Sequence, residues 1–288
     1  MISALPPPPP ACPDRNEAEV GEALHAAMSS GRVSRCEVFL TSKLWNSDHG
    51  RVREACARTL RNLRVDRLDL YLVHWMPKSD EALLATWRQM EALVKDGLVT
   101  SIGLSNCPLK RLRTLLAASS PPLQVRPSVN QIECHPGWRN EALRAFCASM
   151  GIHVTAHTAL GGGTLLKDAK VIRAAEGLGV PPSQLLLRWA LSRGCSAVFR
   201  SREAGRIQEA AQVQVVVAAA SSEGAEGGAV GGAVGDELDA LALVPQERKA
   251  VGSSFVTSGG SGGSGGKRST SEFAYGSLQE LWGEPEDE

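Results

Sequence analysis

Two rhythms of apolar residues alternate along this chain. From position 52 onward Val52, Ala55, Cys56, Thr59, Leu60 and Leu63 recur at spacings of three and four, which is the period of a helix. The flanking segments 37–43 (EVFLTSK) and 68–74 (LDLYLVH) are short and rich in apolar, β-branched and aromatic residues, as strands are. Strand, helix and strand at this length make a βαβ unit, whose two strands run parallel. Each strand closes on a polar residue, Lys43 in one and His74 in the other. The alternation continues downstream. Helices are predicted over 16–30 (stripe Val20, Leu24, Ala27, stopped by Gly31), 81–96 (stripe Leu84, Trp87, Met90, Leu93, Val94, stopped by Gly97), 108–118, 140–150 (stopped by Gly151), 170–178, 183–192 and 203–212. Strands are predicted over 99–106, 127–133, 152–160 and 196–201, giving six in all.

Polar groups trail nearly every strand: Lys43, His74, Ser105–Asn106, Gln131, His157–Thr158 and Arg200–Ser201. A lysine after a single strand is ordinarily a solvated loop residue, and a histidine beside Trp75 ordinarily packs. Amide, hydroxyl and cationic groups at each successive strand end point instead to an α/β barrel whose chemistry sits at the C-terminal face of its strands.

Composition sets the boundaries. Residues 1–13 hold the run Pro6–Pro10, which favours polyproline II over a helix or central strand, so a Pro-rich disordered leader is expected there. The barrel domain is expected over 14–217. From 218 to 288 an Ala/Gly/Ser-rich insert, a GGSGGSGG linker and an acidic tail follow. Lysine plus arginine and aspartate plus glutamate balance at 31 each, so nothing argues for a nucleic-acid partner or an anionic membrane. The seven cysteines are odd in number, scattered, and lack a CxxC pair; reduced thiols in a cytoplasmic setting fit them. Cys134, His135 and His153 are the best metal-ligand candidates, and no metal is expected.

Taken in order, NEAEVGEAL, TSKLWNSDHG, LDLYLVHW, SIGLSN, VNQIECHP and LLLRWAL resemble the motifs of the aldo-keto reductase family over residues 16–212. The resemblance implies a TIM-type (β/α)8 barrel that binds NADPH/NADP+ and transfers hydride to a small aldehyde or ketone. Matched residue by residue, Lys43 and His74 stand at two of four catalytic positions. Trp45 and Trp75 stand at walls of the substrate pocket. Ser105, Asn106 and Gln131 match the groups that hold the nicotinamide carboxamide, which needs both donors and acceptors. His157 stands where the family has a ring stacked on the nicotinamide, and Thr158 and Leu160 match the loop along the pyrophosphate. Arg200, Ser201 and Arg206 match the cluster for the 2′-phosphate, which guanidinium forks suit. Glu209 matches a residue that reaches the adenine. Cys134–His135 lies within one of the family's ordinary motifs.

The departures are equally specific. The family's catalytic tyrosine falls on Asp14 and its catalytic aspartate on Pro9, so the barrel is expected to lack its first two strands, as in an N-terminally truncated or divergent member. An aspartate with a pKa of roughly 3.9 is ionised at neutral pH and has no proton to give. Three readings therefore stand side by side: an NADPH-dependent oxidoreductase, a non-catalytic nucleotide-binding or interaction relative, and a truncated splice or gene-model product. A monomer is expected, with association through the open edges of the incomplete barrel as the alternative.

Overall fold

The computed structural model describes residues 2–3, 16–118 and 121–222; for 214–222 only the backbone is described. The leader beyond Ser3, including Pro9 and Asp14, and the linker and tail after Ser222 lie outside the described residues. Two units divide the described chain, one holding residues up to Gln131 with Phe146–Ile152, the other Ile132–Ala145 and the residues from His153 onward.

In the first unit α1 (Glu17–Ser29), β2 (Leu40–Leu44), α2 (Val52–Leu63), β3 (Leu68–Val73), α3 (Asp80–Lys95), β4 (Val99–Ser105), α4 (Leu109–Leu116) and the start of β5 (Val129–Glu133) alternate as predicted. A two-residue strand, β1 (Ile2–Ser3), precedes them and pairs in parallel with Leu40 and Thr41. This corrects two expectations: the leader is not wholly without structure, and β2 has a neighbour on the side predicted to be open. Strands β1 to β5 pair in chain order, all parallel. Thus six expected strands and one short extra strand make up the described part of a (β/α)8 barrel.

The elements follow from local chemistry. Helix α2 buries Val52, Ala55, Cys56, Thr59, Leu60 and Leu63, the stripe read from the spacing. Ser79 caps α3 by accepting from the Ala82 amide at 3.2 Å, which satisfies one of the helix's orphan donors. Gly97, at φ 72°, then turns the chain out of α3 in the left-handed region open to glycine. The stripe of α3 is rotated from the predicted one: Leu83, Thr86 and Glu91 are buried with Trp87, Met90 and Leu93, whereas Leu84 and Val94 are half-buried. Polar tertiary bonds explain the rotation. Glu91 accepts from the Gln124 and Val125 amides at 2.6 and 2.9 Å, and Trp87 Nε1 donates to the Val125 carbonyl at 2.9 Å. Helix α1 likewise buries Glu17, Gly21 and Leu24 rather than Val20 and Ala27. Gly21 allows this, because a Cβ there would run into the Asn62 carbonyl and lie 2.8 Å from Leu63 Cα on α2.

The second unit contains the end of β5, β6 (His153–His157), α6 (Ala169–Gly177), α7 (Pro182–Ser192), β7 (Ser196–Ala197) and α8 (Ala204–Ser222). Helix α5 (Glu141–Ser149) begins in this unit and ends in the first. Strands β6 and β7 are parallel, with Thr155 opposite Ser196 and Ala156 opposite Ala197. Several predicted bounds change, and β6 covers only His153–His157 of the predicted 152–160. Strand β7 is much shorter than 196–201, and α8 continues past 212 to Ser222, through the first residues assigned to the low-complexity insert. Among the described residues no helix is long and apolar enough to cross a membrane.

Candidate active site

Side-chain parity collects the candidate residues of the first unit. Neighbouring residues of a strand point to opposite sides, and directly opposed residues of parallel strands share a side. Lys43 lies opposite Leu72, Leu72 opposite Gly103, and Ser105 opposite Gln131. Two steps beyond Leu72 comes His74, and two beyond Gly103 comes Ser105. Lys43, His74, Ser105 and Gln131 therefore belong to one side, the first three at the C-terminal ends of β2, β3 and β4 and Gln131 at the middle of β5. All four are buried.

Backbone bonds fix these ends. The His74 amide donates to the Leu44 carbonyl at 3.0 Å, tying the end of β3 to the end of β2. Asn106, in the left-handed region at φ 59°, donates its amide to the Gln131 carbonyl at 2.8 Å. Its Nδ2 donates to the His74 carbonyl at 3.1 Å and to Ser105 Oγ at 3.2 Å. Serine, by accepting there, keeps its own proton to donate. The Trp45 ring meets His74 edge-on at 5.0 Å, and Trp75 stacks beside it at 6.0 Å and 18°. The first unit thus brings together Lys43, Trp45, His74, Trp75, Ser105, Asn106 and Gln131.

The loop that carries Trp45 is held from behind. Buried Asp48 accepts from Arg58 at 2.6 Å and from Arg51 at 3.1 Å. His49 Nδ1 lies 3.3 Å from Thr86 Oγ1 on α3, and Gln89 donates to the His49 carbonyl at 3.2 Å. Burial is the main influence on His49 and lowers its pKa, so the ring is neutral at neutral pH. Asn130, on the opposite side of β5 from Gln131, accepts from the Cys107 amide at 3.4 Å and donates to its carbonyl at 2.9 Å. Sequence reasoning missed Asp48, His49 and the role of Asn130. The partners of His49 and Asn130 are distant in the chain, those of Asp48 follow it by three and ten positions, and only the motif TSKLWNSDHG drew attention to the first two.

In the second unit His157 ends β6, with Nδ1 2.9 Å from Thr158 Oγ1. Thr158 adopts φ 54°, an uncommon conformation for a β-branched residue, and its carbonyl accepts from the Gly161 amide at 2.7 Å. Leu160 begins the glycine turn, its carbonyl accepting from Gly163. Arg200 and Arg206 are exposed and flank the start of α8. Ser201 Oγ accepts from the Glu203 amide at 3.0 Å and so tightens that start. The Glu209 carboxylate is engaged by Ser183 Oγ of α7. Glu133 and His135, buried at the end of β5, pair at 3.0 Å. Among the described residues no three His, Cys, Asp or Glu side chains are grouped to hold a metal ion.

The model of the aldo/keto reductase family matches residues 13–223. The chain belongs to the aldo/keto reductase family. Aldo-keto reductase family 4 member C11 of Arabidopsis thaliana is 38% identical over 216 residues, covering 67% of this chain and 67% of the relative. NADP-dependent D-sorbitol-6-phosphate dehydrogenase of Malus domestica is 38% identical over 231 residues, covering 69% and 73%. Aldo-keto reductase family 1 member A1 of Bos taurus is 38% identical over 229 residues, covering 69% of each. The aldose reductase structure from Schistosoma japonicum superposes with a TM-score of 0.66 at 35% identity, covering 80% of this chain and 77% of that one. As a member of the family the chain is an oxidoreductase of a group that uses nicotinamide cofactors. The fold agrees with that membership: the described strands and their helices are part of the aldo/keto reductase barrel.

Tyr71 does not share the side of the sheet that carries Lys43 and His74. It lies on β3 between Leu70 and Leu72, hence on the opposite side from His74, and it is fully buried. Burial pushes its phenol well above the ordinary value.

Proposed function

We propose that this chain is a cytoplasmic, monomeric NADPH-binding protein that reduces small aldehydes or ketones slowly. The observation that supports the reading best is the buried polar set Ser105, Asn106 and Gln131, joined to the His74 carbonyl by Asn106. Hydroxyl and carboxamide groups offer the mixed donors and acceptors that a nicotinamide carboxamide requires. The two exposed arginines at the start of α8 suit a phosphate. A helix N-terminus favours negative charge, and guanidinium forks match phosphate oxygens. Each set by itself thus suits one part of the cofactor, the first the carboxamide and the second a phosphate.

The bound cofactor supplies the hydride. Trp45 and Trp75 wall the substrate, and His74 orients its carbonyl. Lys43 places a cation where the oxygen gains negative charge, which is the kind of stabilisation that counts most in a water-poor site. Among the described residues no tyrosine stands beside them to give a proton: Tyr71 faces away, and the resemblance sets an aspartate, Asp14, at the position of the family's tyrosine. General acid catalysis contributes about 10²–10⁴-fold, and that factor is missing. Cofactor binding without turnover, as in a non-catalytic relative, is the second reading. The Asp14 position favours it. No nucleic-acid or membrane partner is proposed.

The test has two arms. Binding of NADPH and NADH is followed by nucleotide fluorescence. The expected outcome is NADPH preference, lost when Arg200 and Arg206 are both changed to Ala. Charged hydrogen bonds are worth about 1.5–3 kcal/mol each, so the double change should cost about 10²-fold or more in NADPH affinity and little in NADH affinity. Turnover is followed as NADPH oxidation with a nitrobenzaldehyde. Slow turnover that falls further in Lys43→Met supports reduction, and binding without turnover supports the second reading. Equal affinity for the two cofactors sinks both.

A further inference from the structure

The second unit carries a hydroxyl–imidazole cluster that the proposed reduction does not use. Thr155 lies opposite Ser196 in the parallel pair, and His153, two positions before Thr155, takes the same side of β6. His153 opens β6 and Ser196 opens β7, so the cluster sits at the other end of β6 from His157. Ser196 Oγ is 2.8 Å from Thr155 Oγ1 and 3.0 Å from His153 Nε2. The Ser196 amide also donates to Nε2, at 3.3 Å. An amide N–H can only donate, so Nε2 carries the lone pair and the ring proton is on Nδ1. Ser196 Oγ therefore gives its single proton to Nε2 and accepts from Thr155. Partial burial lowers the pKa of His153, so the ring is a neutral base at neutral pH. Thr155 is buried, Ser196 half-buried and His153 exposed, so the pair opens to solvent on the imidazole side. A serine hydroxyl within hydrogen-bond reach of such a base is the arrangement that makes it a nucleophile.

We propose that Ser196 and His153 are a nucleophile–base pair that takes the acyl group of a small activated ester. Ser196 Oγ attacks the ester carbonyl carbon while His153 Nε2 takes the hydroxyl proton. The C–O bond to the leaving phenol or alcohol breaks, and that group departs with the proton from Nε2. Water then attacks the acyl-serine and gives a proton to Nε2. The bond from Oγ to the acyl carbon breaks, and Ser196 recovers its proton from His153. One ester and one water give one carboxylic acid and one alcohol, with no oxidant or reductant. Thr155 is a positioning residue: by donating to Ser196 Oγ it directs the serine proton towards Nε2.

The experiment mixes the full chain with p-nitrophenyl acetate, follows release of p-nitrophenol, quenches with acid within the first turnover and maps the acetylated peptides. The expected result is an acetyl group on Ser196 in the tryptic segment 194–200, where fragmentation separates Ser196 from Cys195. Ser196→Ala should lose that adduct and the release that accompanies it. His153→Gln keeps a hydrogen-bond acceptor for Ser196 but removes the base. Acetylation of Ser196 should then slow by about 10²-fold or more, and imidazole added to the solution should restore part of the rate. If His153 only tied β6 to β7, glutamine would preserve the tie and the rate would not change. Circular dichroism confirms that each variant is folded. No acetyl group on Ser196 in the unmutated chain, or one that forms as fast in His153→Gln, overturns the proposal and leaves the cluster as a tie between the two strands.

Discussion

Replacing Asn130 by leucine isolates one device that holds the candidate site. Asn130 is fully buried, and its carboxamide brackets the Cys107 peptide groups, accepting from the amide and donating to the carbonyl. Leucine fills a similar volume and makes neither bond. Two buried peptide groups would then lack partners, at about 1–3 kcal/mol each. The 3.4 Å bond is long and belongs at the low end of that range. We expect a loss of about 3 kcal/mol, or roughly 6–12 °C in melting temperature if about 200 residues unfold together. Urea unfolding followed by tryptophan fluorescence measures it. Asn130→Asp sharpens the test. It keeps the acceptor but sets a carboxylate against the Cys107 carbonyl, where only the protonated acid can donate. The folded state then raises that pKa, so its contribution is present at acidic pH and lost as pH rises. Stability of Asn130→Asp should therefore recover on acidification, whereas that of Asn130→Leu should not. Ser105 and Asn106 immediately precede Cys107, so NADPH affinity should weaken in both variants at neutral pH. A loss below about 1 kcal/mol in Asn130→Leu would show that the bracket contributes little beyond packing.

Glu17 is buried and accepts from Ser42 Oγ and Asn62 Nδ2, each at 3.1 Å, yet burial outweighs these bonds and raises its pKa above 4.5. Stability from this group is present below 4.5 and lost as pH rises through the raised value. Glu17→Gln should flatten that decline, and urea midpoints at about pH 4 and pH 7 would reveal it; an unchanged slope refutes the assignment. Gly21→Ala puts a methyl group into the Asn62 and Leu63 backbone, so α1 must move off α2. We expect about 1–3 kcal/mol of destabilisation by thermal melting, and a neutral result would mean that α1 shifts freely.

The alternation of strands and helices is legible in the sequence because it depends on local spacing. Helix α2 shows this best: all six residues of its predicted stripe are buried. Helix α3 shows the limit. Its apolar residues allow a face through Leu84 or one through Leu83, and the choice falls to Trp87 and Glu91 bonding a segment more than thirty positions away. Strand β7 fails for another reason. The segment 196–201 has strand composition, but only Ser196 and Ala197 pair with β6, and Phe199 is exposed. The strand Ile2–Ser3 carries too few residues for any periodicity to register.

The candidate site depends on a finer property, which side of a strand each polar residue takes. Ser42, Asp69, Tyr71 and Asn130 are as conspicuous in the sequence as Lys43, His74 and Gln131. They sit one position away from those residues or between them, and they do different work. Asp69 accepts from Arg35 and from the Leu40 amide, Ser42 donates to Glu17, and Asn130 brackets Cys107. Each of these ties a strand to a neighbouring element rather than to the side that carries Lys43. A one-residue error in a strand boundary exchanges the two sets completely, and single-sequence boundaries are uncertain by more than that. Register removes the ambiguity. Once Lys43 is opposite Leu72 and Ser105 opposite Gln131, the parity of every residue between them follows. Tyr71 is the decisive case: it is one of only two tyrosines in the sequence, and parity puts it on the side of its own strand away from Lys43 and His74.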